Sequence, residues 1–384
     1  MSRDGHNVDF LRFKRKRWSV VHPQGASYRH GMRKSIKRRK ESQSPSWACL
    51  RLAFLIIIPL TVVTAMFTLW GGFGRTARGD RKGNIDNVER ILFHRFPNEN
   101  TNNGNNLFGW ASTLGLAELH GMKPCFSMMG VGENLHNSFE LDGGECQEME
   151  GWFERLQNRW FPRADRSQAE AGYATHQQFY IPSSANRFTV TGYLQSFKYF
   201  PKDMAERIRF KGEIETRNSA LVQSIAKGRV TVGVHIRHSF EGDGQTVYLR
   251  FPPNEYFEGV LDYFREKHGQ GNVVFIVAGD DSEYLRNAPW INGQEDVLAI
   301  PHEPSRTPID DLASLAACDN MVITVGTFGW WAAFLGDLRN KFQGDIIYYS
   351  DMFNMEVSPN RGNVIGADHF PPHWISMDGR GLIF

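Results

Sequence analysis

An apolar run ends abruptly in three potential cations in the stretch VGVHIRHSFE, residues 232–241: His235, Arg237 and His238. A guanidinium offers a planar fork to phosphate, and an imidazole beside it can donate to the same anion. Two more places invite chemistry. Asp280 and Asp281 follow the apolar run FIVAG, and Gly326, Thr327, Phe328 and Gly329 form a turn that opens a helix, whose first amides are donors to an anion. Singly, each feature is ordinary, because strand ends often carry solvated charges and GTFG alone is a turn. The question is whether the fold brings them to one edge.

The surrounding pattern predicts that it does. RVTVGVHI, NVVFIVAG, DVLAIP, NMVITVG and DIIYYS read as strands without polar alternation. They alternate with the helical segments NEYFEGVLDYFREKHG, SEYLRNA, PIDDLASLAAC and TFGWWAAFLGDL. Buried strands separated by amphipathic helices mean a doubly wound parallel sheet, here over residues 224–384. Ligands bind such sheets outside the carboxyl ends of the strands, where all three clusters fall. Residues 85–223 are less regular. A helix is expected over 106–120 with Leu107, Ala111, Leu114 and Leu119 near one face, then a strand at KPCFSM. Trp152, Phe153, Leu156, Trp160 and Phe161 have the spacing of a helical apolar stripe, a core feature more than a ligand cage.

Missing motifs narrow the chemistry. The chain has no GxGxxG after a first strand, no GxxxxGK[ST], no GxSxG and no HExxH. Dinucleotide oxidoreductases, P-loop enzymes, serine hydrolases and zincins therefore lose support. No strict Asp-x-Asp occurs, only Asp281-Ser282-Glu283, so no bridging metal is expected and Arg237 with helix dipoles would have to meet phosphate charge.

The net charge of +2 over 384 residues hides an asymmetry. Residues 1–51 hold 14 of the 44 Lys/Arg but only Asp4, Asp9 and Glu41 of the 42 acids. Residues 52–73, LAFLIIIPLTVVTAMFTLWGGF, contain no charge and are long enough to cross a bilayer, with Trp47 and Trp70 near the two edges. Their distance from the start disfavours a cleaved signal. By the positive-inside rule, the expectation is a cytoplasmic tail (1–51), an anchor (52–73), a short solvated stem (74–84) and an exported remainder. The basic residues belong to this tail, so no nucleic-acid partner is expected. Cys125 and Cys146 could pair in an oxidising lumen or remain buried thiols, with Cys318 the third exported cysteine. From the residues alone, the chain reads as a membrane-anchored lumenal enzyme with an anionic nucleotide donor, a glycosyltransferase.

GVHIRH, FIVAGDD, TPIDDLASLAACDNMVITVGTFGWWAAFLGD and DIIYYSD, with GNNLFGWASTLGLAELHGMKPCF and GYLQSFKYF before them, resemble the galactoside 2-alpha-L-fucosyltransferase family over roughly residues 102–374. The resemblance implies a type II Golgi membrane enzyme, independent of metal, with two Rossmann-like halves facing a cleft in the manner called GT-B. Residues 85–223 would be its acceptor side and 224–384 its GDP-fucose side. It would move L-fucose, with inversion, from GDP-beta-L-fucose to the 2-hydroxyl of a terminal beta-galactoside on a glycan. Carried onto this chain, Arg237 matches the first arginine of the family's His-x-Arg-Arg motif and would hold the departing diphosphate. His235, His238, Asp311, Thr327, Phe328 and Gly329 would line the donor site. No general base is named by the resemblance. Glu241, Asp243 and Asp280 are the carboxylates expected near the edge, each as readily a solvated loop residue. The chain departs from its family where Arg-Arg-Gly-Asp becomes Arg237, His238, Ser239 and Phe240. The arginine expected before the family's Gly-Asn-Gln loop is Asn102 or Asn103, and the glutamine is Asn106. That leaves open a catalytically impaired glycan-binding paralogue, or a fucosyltransferase of different linkage.

Overall fold

The computed structural model describes residues 89–96, 102–126, 131–142, 167–172, 174–239, 249–301, 303–353 and 364–384, all within one compact unit, Asn84–Phe384. The expected anchor, the 152–161 stripe, Cys146, Glu241 and Asp243 lie outside the described residues. Among those described, no helix is long and apolar enough to cross a membrane.

The fold is α/β with parallel sheets. A first sheet takes β1 (Ile91–Arg95), β2 (Lys123–Phe126), β4 (Ser167–Ala169) and β5 (Arg187–Thr191) in the order β2-β1-β5-β4, every pairing parallel. Between β1 and β2 runs α1 (Asn103–Leu119), whose N-cap Asn102 accepts from the Asn105 amide. This helix is buried on nearly every side from Gly104 to Ala117. Leu107, Ala111 and Leu114 are in the core as expected, but Leu119 is 74% exposed, because the helix ends there and the chain turns through Gly121 in the left-handed conformation. After α2 (Val131–Ser138), a small antiparallel pair joins β3 (Phe139–Leu141) to β6 (Ile208–Phe210), with the short α3 (Met204–Arg207) leading into it.

Beyond α4 (Gly212–Ala226) lies the larger sheet. It comprises β7 (Val230–Ile236), β8 (Val273–Gly279), β9 (Val297–Ala299), β10 (Asn320–Ile323), β11 (Ile346–Tyr349) and β12 (Ile375–Met377). Their order is β12-β11-β10-β7-β8-β9, all parallel. The crossovers are α5 (Asn254–His268), α6 (Ser282–Asn287), α7 (Pro308–Ala316), α8 (Thr327–Arg339) and α9 (Gly366–His369). The chain winds outward from β7 to β9 and returns to β10 on β7's other flank. The strand order thus reverses between β7 and β10, the switch point at which such sheets bind ligands.

Local chemistry explains the elements. Thr307 and Asp310 form a reciprocal capping box with Pro308 in the first turn, so α7 starts sharply. In α5, Glu255 sits in the first turn and Arg265, Lys267 and His268 in the last, complementing the helix dipole, while Tyr256, Phe257, Val260, Leu261 and Phe264 face the sheet. Gly233 lies mid-strand in β7, where a Cβ would come within 2.6 Å of Met321 Sδ and 3.1 Å of the Leu315 carbonyl, so its bareness lets α7 lie close.

Gly115 of α1 is tighter still, since a Cβ would lie 1.8 Å from the Tyr199 carbonyl oxygen. We expect Gly115→Ala to lower the free energy of unfolding by about 1–3 kcal/mol through overpacking. At Gly212, where a Cβ meets nothing within 4 Å, alanine should be neutral or slightly stabilising. Urea denaturation of the two variants checks both.

Candidate active site at the strand-order switch

The switch point is built by backbone register. His235 pairs with Ile323 of β10, so the chain leaving β7 runs beside the chain leaving β10. Thr324 fastens the two: its hydroxyl donates to the His235 carbonyl at 3.2 Å and accepts from the Arg237 amide at 3.3 Å. Gly326 then precedes α8 with φ +89, and a Cβ there would lie 2.7 Å from Arg237 Nη1. The half-buried Arg237 guanidinium therefore rests on the bare backbone that opens α8, beside its unsatisfied first amides. Such a pairing of guanidinium and helix start suits a phosphate.

His235 is placed against the same helix start but carries no charge. Its ring is buried, stacks on Phe328 at 5.4 Å, and leaves Nδ1 without a partner. Gly329 makes room for it, because a Cβ would come within 2.3 Å of that nitrogen. Burial drives the imidazole pKa down to about 4, outweighing the pull of Asp280. Of the three potential cations in the sequence, the first is thus a neutral ring.

His238 turns the other way. Its Nδ1 lies 2.8 Å from Asp281 Oδ2, its ring stacks on Tyr284 at 4.3 Å and meets Phe251 edge-on at 4.9 Å. Asp280 accepts from the amides of His238 (2.8 Å) and Ser239 (3.2 Å) and from the Ser239 hydroxyl (2.6 Å), so this carboxylate holds the loop. Asp311 lies on α7, beyond β9, and pairs with Arg306 at 3.0 Å; Arg306 also reaches Ser314. Its neighbour Asp310 is buried, which raises its pKa, yet hydrogen bonds from Asn218, Thr307 and Arg217 override burial and hold it well below the usual carboxylate range. The structure therefore brings His235, Arg237, Thr327, Phe328 and Gly329 together. His238 joins Asp280 and Asp281, and Asp311 joins Arg306.

The first sheet contributes what sequence reasoning missed. The start of α1 abuts the start of α8: a Cβ on Gly104 would lie 2.6 Å from Thr327 Oγ1. The Thr327 hydroxyl reaches Asn105 Oδ1 at 3.1 Å and Asn102 Oδ1 at 3.3 Å, and Gln195 Nε2 donates to the same Asn105 oxygen at 2.8 Å. Two helix N-termini and Arg237 thus gather at one place, their dipoles both favouring an anion. Aromatic packing fixes the arrangement. Phe108 of α1 lies 4.5 Å from Trp330 and 5.4 Å from Trp331, and Phe200 stacks on Trp331 at 5.4 Å. Trp330 Nε1 donates to the His369 carbonyl, and His369 Nδ1 lies 2.8 Å from the Gln195 carbonyl.

One acid on the first sheet's edge had no signal in the sequence. Glu170 follows β4, and its Oε2 accepts from the Tyr193 and Leu194 amides, both at 2.9 Å. Its Oε1 is buried without a hydrogen-bond partner. Burial pushes the carboxyl up to about 7, against the opposing pull of those two amides. Nearby, His94 Nε2 lies 2.8 Å from the Gly192 carbonyl, and burial drives its pKa down to about 4. Elsewhere, Cys125 is disulfide-bonded and Cys318 is a buried free thiol pushed up to about 12 by burial.

Residues 170–343 match the profile of Glycosyl transferase family 11. Galactoside alpha-(1,2)-fucosyltransferase 1 of Saimiri sciureus is 29% identical over 183 residues, 45% of either chain. The protein of the same name from Leontocebus fuscicollis is 26% identical over 289 residues, 72% of either chain. The chain thus spans about half the length of the first of these relatives. Among solved structures, fucosyltransferase NodZ from Bradyrhizobium is similar with a TM-score of 0.42 and 16% identity, over 64% of this chain and 92% of that one.

The Glu170 carboxyl makes a stability prediction. Its pKa lies above the ordinary 4.5, so between about pH 4.5 and 7 the folded chain binds the proton that the unfolded chain has lost. Stability from this group is present at low pH and is lost as pH rises through 7. The buried neutral His94, His235 and His369, all held near 4, act in the opposite sense, losing stability as pH falls below 6.5. The comparison with Glu170→Gln isolates the carboxyl. We expect the melting temperature of wild type to fall relative to Glu170→Gln between pH 5 and 7.5, with a constant gap above. Parallel curves across that range would show that Glu170 does not titrate there.

Proposed function

We propose that this chain is a galactoside 2-alpha-L-fucosyltransferase. It would move L-fucose from GDP-beta-L-fucose to the 2-hydroxyl of a terminal beta-galactoside on a glycan, inverting the anomeric centre without a metal ion. The observation that carries this reading is the Arg237 guanidinium seated on Gly326 at the strand-order switch, inside the segment that matches glycosyl transferase family 11. The names of the relatives supply the linkage and acceptor class.

The chemistry follows from those positions. The acceptor hydroxyl oxygen attacks the anomeric carbon of fucose as the bond to the β-phosphate oxygen breaks, GDP departs with the electron pair, and the hydroxyl proton is released to solvent or to a base in the site. Charge grows on the diphosphate in that step, where Arg237 and the amides opening α8 would meet it. Neutral His235, stacked on Phe328, would supply shape and a ring nitrogen rather than charge. On this reading, the two sheets belong to two Rossmann-like halves, residues 85–223 and 224–384, in a GT-B-like arrangement with the acceptor entering from the first. Residues 52–73 would anchor the enzyme in the Golgi membrane as a single-pass type II protein, with the catalytic part lumenal.

One observation favours the alternative of a glycan-binding paralogue with impaired catalysis. Where the family carries a second arginine, His238 is engaged by Asp281 and Tyr284 instead. Assay of the purified full chain decides. With EDTA present, GDP-fucose and a beta-galactoside should give a product whose linkage analysis shows fucose on the 2-hydroxyl. GDP binding without transfer across a broad acceptor panel would leave the paralogue. Arg237→Ala should reduce kcat/KM by about 10²–10³-fold, as removal of one donor to a developing oxyanion does, with melting temperature unchanged. A wild-type rate in that variant would place the diphosphate elsewhere. Protease protection of an N-terminal tag in intact Golgi vesicles, opposite to that of a C-terminal tag, tests the topology.

A further inference from the structure

Leu194 adopts φ +51, a conformation in which a side chain is strained, and it is fully buried. Something must hold it there, and the neighbouring contacts identify what does. Glu170 Oε2 binds the Tyr193 and Leu194 amides together, and Gly192 is bare where a Cβ would meet Glu170 Oε2 at 2.6 Å. The next residue, Gln195, leaves this turn with its carbonyl on His369 and its amide on Asn105, the residue that also receives the Thr327 hydroxyl. A continuous chain of contacts therefore runs from Glu170, on the edge of the first sheet, to the start of α8.

We infer that Glu170 is a positioning residue for the anion site: by clamping the Tyr193–Leu194 turn it aims Gln195 at Asn105, and so seats Thr327 and the first turn of α8. The role goes beyond the proposed reaction, although its effect on donor affinity rests on that reading. It differs from a general contribution to packing in two ways. The clamp needs an oxygen that accepts two amides, which glutamine retains and alanine lacks. Its effect must also pass through Gln195.

Both features can be tested on the purified full chain. In the ligand-free protein, Glu170→Ala should accelerate hydrogen exchange in the first turns of α1 and α8, while Glu170→Gln leaves it at the wild-type rate. Isothermal titration with GDP should show the alanine variant about tenfold weaker and the glutamine variant within about twofold of wild type. Gln195→Ala should weaken GDP comparably, and the double variant should be no weaker than the worse single one, because the two residues act in series. Glu170→Asp, one methylene too short to span both amides, gives the same readouts should the alanine variant fail to fold. Unchanged exchange in Glu170→Ala, or multiplied effects in the double variant, overturns the inference. Absence of GDP binding by wild type would instead sink the fucosyltransferase reading, and the exchange measurement would still decide the role of Glu170.

Discussion

The site depends on one steric fact: Gly104 has no side chain, so the start of α1 can lie on Thr327 at the start of α8. Any β-carbon there would separate the two helix starts. Two positive dipole ends held this close repel, and the arrangement persists because other contacts offset that repulsion. Asn102 caps its own helix and, with Asn105, accepts from the Thr327 hydroxyl, while the rings of Phe108, Phe200, Trp330 and Trp331 bury apolar area beneath. The aromatic packing offsets the unfavourable electrostatics of a place poised for an anion. An anion seated between the two helix starts would relieve that repulsion, and the cost of holding them together would be recovered as affinity.

Five of the larger sheet's six strands were legible in the sequence because its central strands are buried on both faces, whereas β12, three residues with only Met377 buried, gave no such signal. β7 and β8 are each seven residues of almost unbroken burial, and such runs cannot be mistaken for surface strands. The first sheet gave no such signal. β1 and β5 alternate buried and half-exposed positions, β4 is three residues with no buried one, and parallel pairing joins segments almost a hundred residues apart. Its helix α1 misled in the opposite sense. Buried all round, it shows no polar face, and the periodic argument extended the apolar stripe to Leu119, which the turn at Gly121 releases to solvent.

Charge was the least legible property of the site. Spacing places His235, Arg237 and His238 at a strand end, but burial decides what each contributes. His235 is stripped of solvent and neutral, and His238 is matched with Asp281, which leaves Arg237 as the cation on the glycine that opens α8. Nor could the sequence tell how the carboxylates are engaged. Asp280 and Asp311, prominent by position, are engaged by the 238–239 loop and by Arg306. Glu170, an acid with a buried oxygen that lacks a hydrogen-bond partner, stands in a loop with no motif around it. A one-dimensional pattern encodes which residues follow strands, not which are dehydrated when the sheets close.

The extent of the family match gains meaning from this geometry. Residues 170–343 include Glu170, Gln195, Arg237 and the start of α8, but Asn102, Gly104 and Asn105 precede that segment. Thr327 nonetheless rests on those three residues, and Gln195 reaches it only through Asn105. The candidate site is therefore a property of the contact between α1 and α8, not of the larger sheet alone. A change in Gly104–Asn106, in the first turn of α1 and distant in sequence from Arg237, alters the ground on which α8 begins. In the same way, the departure at His238 to Phe240 need not act at the phosphate, because the described residues tie His238 and Ser239 to Asp280 and Asp281 at the far side of β7 from Thr327.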